Sequence, residues 1–224
     1  MIITIDGPVG TGKSTIAKKL SSRIQFIYFD TGAMYRTLTY ALIKNHIDYN
    51  DKAELRKFLD SFVFDIKINQ DEKQYFWNEE NVTREIRSPA VTQLTSKIAA
   101  IQEVRETLVD IQRKFSEGVN AVFEGRDMGT VVFPDAEIKV FLTGRPDVRA
   151  ERRYKEMLEK FPEEEKNLTF ENVLKEINQR DTFDTERKIS PLRQHEDALV
   201  VDTSDLTVDE IIDIILEFRD TKAK

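Results

Sequence analysis

The sequence contains no cysteine, which excludes disulfides, thiolate metal sites and cysteine nucleophiles. Histidine is almost as scarce. His46 and His195 are the only two, too few for a histidine-based metal site. No apolar run approaches the ~18 residues that a membrane-spanning helix needs. Net positive charge is missing too: 34 Lys and Arg against 41 Asp and Glu give a net charge of −7, which argues against a nucleic-acid-binding surface. Any phosphate chemistry must therefore rest on local clusters of arginine. Met1 leads straight into strand-like Ile2-Ile3-Thr4-Ile5, with neither a basic n-region nor an apolar h-region, so a cytoplasmic protein is expected. Repeats, low-complexity tracts and Gly/Ser-rich linkers are absent. A chain of 224 residues that is 40% hydrophobic and 33% charged is then expected to form one α/β domain with room for an insert.

Five short apolar runs read as buried strands: Ile2–Ile5, Phe26–Phe29, Val119–Phe123, Ile138–Leu142 and Leu199–Val201. Helical patterns fall between or after them, over Ser14–Ile24, Ala33–Lys44, Val91–Phe115, Pro146–Lys160, Phe170–Arg180 and Val208–Arg219. This alternation predicts a five-stranded parallel sheet flanked by helices. One stretch, about 62–87, departs from it. Val63–Ile68, Gln74–Trp77 and Asn81–Thr83 read as short strands separated by polar turns at Asn69–Lys73 and Asn78–Glu80, with no crossover helix, so an antiparallel insert is expected. A decorated loop is the alternative. The charged run Phe161–Asn167 joins two helices and suits either a solvated connection or the tip of a lid.

Gly7-Pro8-Val9-Gly10-Thr11-Gly12-Lys13-Ser14-Thr15 fits G-x-x-x-x-G-K-[ST] directly after a strand and before a helix. Glycines let backbone N–H groups turn inward around phosphate, and the following helix adds the positive end of its dipole. Lys13 supplies a point charge to the β- and γ-phosphates, and the Ser14 hydroxyl is placed to ligate Mg²⁺. The loop predicts nucleoside-triphosphate binding without naming a reaction. A GTPase switch would usually carry Asn-Lys-x-Asp, which does not occur here.

Three segments supply candidate acceptor contacts. Asp30–Arg36 (DTGAMYR) follows the second strand. Asp30 or Thr31 suits a helix cap, while Arg36, one turn in, suits a phosphate. Gly125–Thr130 ends the third strand with Arg126 and Asp127 between glycines, either an ion-paired turn or a ligand-contacting one. Arg180, Asp184 and Arg187 share a face if their helix continues, as an ion-pair ladder or as a phosphate site. Arg149, Arg152 and Arg153 after the fourth strand are either surface residues or a clamp on the migrating phosphoryl group.

Taken in order, Gly7–Thr15, Asp30–Arg36, Gly125–Asp135 (GRDMGTVVFPD), Arg180–Arg187 and Ser190-Pro191-Leu192 resemble the bacterial cytidylate kinase family of nucleoside monophosphate kinases, over about residues 2–218. The resemblance implies a P-loop kinase that moves the γ-phosphoryl of ATP to CMP, and to dCMP, with Mg²⁺. It also implies an acceptor subdomain over about 33–115 and a lid over about 146–170. By matching position, Thr31, Ser96, Arg105 and Asp127 would surround the cytosine, with Tyr35 on the same acceptor side. Arg36, Arg126, Arg180 and Arg187 would lie at the acceptor phosphate, and Asp184 at the ribose. Lys13, Arg126, Arg180 and Arg187 become the catalytic cations. Thr31 stands where some members have Ser, and Phe183 where some carry a further arginine. No nucleic acid or membrane partner is expected, and a monomer is.

Overall fold

Ile2–Asp6 forms strand β1, and its side chains are buried from Ile3 onward on both faces, as the centre of a parallel sheet requires. The structure, a computed structural model, describes residues 1–69, 72–160 and 168–222. Contacts divide the chain into two units, Met1–Phe29 with Ser116–Lys224, and Asp30–Phe115.

The first unit is built on a five-stranded parallel sheet in the order β2-β6-β1-β7-β8, with β2 at Ile27–Asp30, β6 at Ala121–Gly125, β7 at Ile138–Thr143 and β8 at Leu199–Asp202. Ile3, Ile5, Val122, Val140 and Leu142 of the strands meet Ile16 and Leu20 of α1 (Lys13–Ile24) and Ile211, Ile212 and Ile215 of α8 (Val208–Lys222). Asp6 is in register with Gly125 of β6 and with Phe141 of β7. The loops that leave β1 and β6 therefore start level with each other, and β7 runs two residues further, at the carboxyl edge where open α/β sheets bind ligands. A smaller cluster, Ala150, Val173 and Ile177, joins α6 (Pro146–Lys160) to α7 (Phe170–Glu186).

In the second unit α2 (Thr31–Lys44) contributes Ala33, Met34, Leu38 and Leu42 to a core shared with α3 (Lys52–Asp60), α4 (Pro89–Ile98) and α5 (Gln102–Ser116). The expected insert is an antiparallel sheet of β3 (Phe64–Asn69), β4 (Glu72–Trp77) and β5 (Glu80–Asn81). Its third strand is only two residues long. Beyond it the pairing continues through Val82 N–H to the Tyr75 carbonyl and through the Thr83 hydroxyl, which accepts from Tyr75 N–H at 2.9 Å.

Three helical boundaries differ from the sequence expectation. The pattern over Val91–Phe115 is two helices, because the chain tightens at Ala99–Ile101. Ala100 and Ile101 bond three residues back, and the Arg105 guanidinium donates to the Ala99 carbonyl at 3.1 Å. Helix α3 was not expected: its buried residues are Leu55 and Leu59, with Phe58 packed against the same core, and its start depends on Asp51, whose carboxylate accepts from Ala53 and Glu54 N–H. Helix α7 runs past Arg180 to Glu186. Part of the expected Asn69–Lys73 turn and the whole Phe161–Asn167 lid tip lie outside the described residues. Among those described, no helix is long and apolar enough to cross a membrane.

Candidate active site

The phosphate loop occupies the gap between β1 and α1. Gly12 stands at the N-cap with φ 82°, a left-handed conformation that a side chain would strain. Among the described residues no side chain caps α1 from Gly12, and no acidic residue sits in the first turn, so its leading N–H groups and dipole face the loop without a carboxylate of the helix's own. Lys13 is buried, and its Nζ donates to the Pro8 carbonyl at 2.6 Å and reaches Thr11 Oγ1 at 3.5 Å. Burial, and then the positive charge of Arg126, hold its ammonium well below the ordinary lysine range. A polyanion set beside the ammonium would act in the opposite direction. Ser14 and Thr15 are exposed in the first turn of α1.

Beside the loop, β6 is followed by Arg126 and Asp127 and then by a single π-helical turn, Met128–Val132. Asp6, the last residue of β1, caps that turn with both oxygens: Oδ1 accepts from Met128 N–H at 2.9 Å and Oδ2 from Gly129 N–H at 2.8 Å. Burial pushes the Asp6 carboxyl up to about 7, against the pull of these two bonds. Arg126 Nε donates to Asp184 at 2.9 Å, and Arg187 approaches Asp127 at 3.4 Å. Burial would raise the Asp184 carboxyl, but Arg126, Arg180 and Arg187 outweigh it and hold it below the usual range. The Ser190-Pro191-Leu192 segment folds back on α7: Ser190 accepts from Arg187 Nε at 2.6 Å, and Leu192 N–H bonds the Asp184 carbonyl at 2.8 Å. Lys13, Arg126, Asp127, Arg180, Asp184 and Arg187 thus form one charged cluster in the first unit.

The three expected lid arginines have different surroundings. Arg149 is buried and spends its donors on Gly144 O, Val9 O and Asp181. Arg152 holds the Thr203 carbonyl at 2.6 Å, which anchors α6 to the chain after β8. Arg153 pairs with Glu156 on its own helix.

In the second unit Asp30 is the cap of α2, accepting from Ala33 N–H at 2.9 Å, and its other oxygen pairs with Arg36 at 2.9 Å. Thr31 and Tyr35 are buried on that helix. The Arg105 guanidinium lies 5.6 Å from the Tyr35 ring centre, in cation–π range. Ser96 is half-buried on α4.

The residues that the sequence expectation passed over are Asp6, Glu124 and Asp181. Glu124, buried at the end of β6, accepts from the Tyr28 hydroxyl at 2.6 Å. Asp6 carried a signal, since an acid ending an apolar strand just before the phosphate loop has no reason to be there unless it is bonded. Asp181 stands outside the Arg180, Asp184 and Arg187 set and carries no signal of its own in the sequence.

The model of the family described as cytidylate kinase matches residues 3–221. A cytidylate kinase of Protochlamydia amoebophila is 61% identical over 221 residues, which cover 99% of this chain and 97% of that protein. One of Fusobacterium nucleatum is 42% identical, covering 96% of this chain and 95% of that protein. Among solved structures, shikimate kinase from Bacteroides thetaiotaomicron aligns with a TM-score of 0.52 over 98% of each chain, at 13% identity, a likeness of fold alone.

Proposed function

The chain belongs to the cytidylate kinase family, and from that premise we infer how its residues divide the work of phosphorylating CMP to CDP with ATP. A phosphate oxygen of CMP attacks the γ-phosphorus of ATP. The bond from that phosphorus to the β,γ-bridging oxygen breaks, and the bridging oxygen leaves on ADP. The attacking oxygen is already ionised, so no catalytic base is needed, and catalysis lies in positioning and charge neutralisation.

The observation that carries the assignment of roles is the cluster around Lys13. Cations from α1, the β6 turn and α7 converge next to an uncapped helix N-terminus. We assign Gly7, Pro8, Val9, Gly10, Thr11, Gly12, Lys13, Ser14 and Thr15 to the ATP phosphates, and Arg126, Arg180 and Arg187 to the transferred and acceptor phosphates. Arg36 joins them on the acceptor side, and Asp184 is assigned to the ribose. Thr31, Tyr35, Ser96, Arg105 and Asp127 are assigned to cytosine. The second unit is read as the acceptor-binding subdomain, and about 146–170 as a lid from which Arg153 reaches the donor phosphates. The chain is read as a cytoplasmic monomer that also accepts dCMP.

Phosphoryl transfer by such a kinase typically needs a divalent metal. We assign Mg²⁺, with the exposed Ser14 hydroxyl as its protein ligand. Among the described residues no group of three His, Asp or Glu could hold a metal. A lone hydroxyl fits a cation that would be carried mainly by the phosphates and water, and the chemistry it would supply is neutralisation of phosphate charge. The test is ADP release with ATP against CMP, dCMP, UMP, AMP and GMP. CMP should be the best acceptor. Equal rates with UMP, or no ADP release with CMP, would reject the reading.

A further inference from the structure

Among the expected lid arginines, Arg149 is the one found on the phosphate loop, and it is there on the main chain. Its Nη1 donates to the Val9 carbonyl at 2.9 Å and to Asp181 Oδ2 at 2.5 Å, while its Nε donates to the Gly144 carbonyl at 2.8 Å. The other oxygen of Asp181 accepts from Val9 N–H at 3.2 Å. Both backbone polar groups of one loop residue are therefore held by a single ion pair whose side chains are 6% and 19% exposed. The next residue rests on the same helix, since a Cβ at Gly10 would stand 2.7 Å from the Arg149 carbonyl oxygen.

We propose that Asp181 is a positioning residue for phosphoryl transfer: with Arg149 it fixes the phosphate loop at Val9 and ties that loop to the stretch of α7 that also holds Arg126. The loop from Gly7 to Gly12 has no ladder of its own to set the direction of its N–H groups, so something outside it must. The Asp181–Arg149 pair does this from α6 and α7. Three residues further along α7, Asp184 holds Arg126 at 2.9 Å, on the turn that carries acceptor-side residues. Donor loop and acceptor turn are thus referred to one rigid segment. In-line transfer is sensitive to this distance, because a misplacement of about 1 Å costs on the order of 10²-fold. Asp181 itself carries a charge that repels phosphate, and its pairing with Arg149 offsets that repulsion. Its role is therefore mechanical and it makes no contact with substrate.

The proposal rests on the kinase reading, and its test separates the two. Asp181→Asn keeps the size and one acceptor, but its amide N–H groups face Arg149, so the ion pair is lost. Arg149→Lys keeps the charge but not the fork that reaches three acceptors. The measurements are kcat, both KM values, ADP affinity by calorimetry and melting temperature, for wild type, each single variant and the double. We expect the KM for ATP and the Kd for ADP to rise about tenfold in each single variant, with the KM for CMP within about twofold. The double variant should be no worse than the poorer single, because the two residues act as a unit. Unchanged ADP affinity in Asp181→Asn overturns the proposal. So does a loss in which both KM values move together with the melting temperature, which marks a structural staple. Wild-type protein that releases no ADP with CMP rejects the kinase reading instead, while calorimetry with ADP still decides the clamp.

Discussion

Asp127 has two demands on one carboxylate. It is buried at the end of β6, and Arg187 approaches it at 3.4 Å, a long and weak hydrogen bond. A carboxylate only accepts, so beside position 4 of a pyrimidine it favours the cytosine amino group and opposes the uracil carbonyl, as acidic side chains do for cytosine in DNA. A polar site of this kind discriminates strongly, because the wrong base leaves buried groups unpaired. Asp127→Asn should therefore lower kcat/KM for CMP by more than for UMP and narrow the ratio between them by about tenfold or more. The ratio matters because the variant also leaves Arg187 without its carboxylate, a loss common to both substrates. Measuring kcat/KM for both in both proteins decides it: an equal fall would place Asp127 with the phosphate-binding arginines and leave base choice to Ser96 and Arg105. At this scale the sequence was legible where residue type and position agree, as at Asp30, expected to suit a helix cap and found accepting from Ala33 N–H. Ser96 and Arg105 were reached only by resemblance. Ser96 is half-buried on α4, and Arg105 lies on the buried face of α5 with Leu108 and Val109, where a long stem on an apolar face gives no hint that its guanidinium comes to lie near the Tyr35 ring.

The π-helical turn after β6 depends on the end of β1. Two of its N–H groups, which a helix start leaves orphaned, are taken by the two oxygens of Asp6. Burial lifts that carboxyl from 3.8 to about 7; nearby Asp127 acts in the same direction, while Lys13 and the two backbone bonds oppose it. A carboxyl raised in the folded state binds its proton more tightly there than in the unfolded chain. The stability this confers is complete below about 4 and is lost as pH rises toward about 7, a span worth roughly 4 kcal/mol. Asp6→Asn cannot ionise, so its urea midpoint should change less than that of the wild type between pH 5 and pH 8. Parallel profiles for the two proteins would mean that Asp6 does not titrate in this window. Strands and most helices were legible because their apolar periods are long and unbroken. The break at Ala99–Ile101 was not, since it is made by a side chain reaching back from Arg105. Nor was α3, whose two buried leucines are too few to stand out from the charged residues around them. The extension of α7 to Glu186 hid in a run of charges that reads equally well as a helix end.

Across the whole molecule the charge is −7, yet Lys13, Arg126, Arg180 and Arg187 are gathered in one cluster with Asp127 and Asp184. The alternation of apolar runs made the parallel sheet legible, and the glycine-rich motif marked the turn from β1 into α1. The cost of assembling these cations was not legible, because it arises only when separate segments meet. Lys13 bears much of that cost: burial and then Arg126 weaken its hold on its proton, and among the described residues Pro8 O at 2.6 Å and Thr11 Oγ1 at 3.5 Å accept from it. Sites arranged for a ligand commonly give up stability in this way. Nucleotide should recover it. At about 100 times its Kd, ADP adds about 2.7 kcal/mol, or roughly 5–10 °C in melting temperature for a chain of this size. In Lys13→Ala the strain disappears together with the binding. Its melting temperature without ligand should equal or exceed that of the wild type, and most of the rise with ADP should vanish. Thermal melts of both proteins with and without ADP and Mg²⁺ are enough to decide. A variant that melts several degrees lower yet keeps the full rise would make Lys13 a packing residue and move the donor site away from Gly7–Thr15.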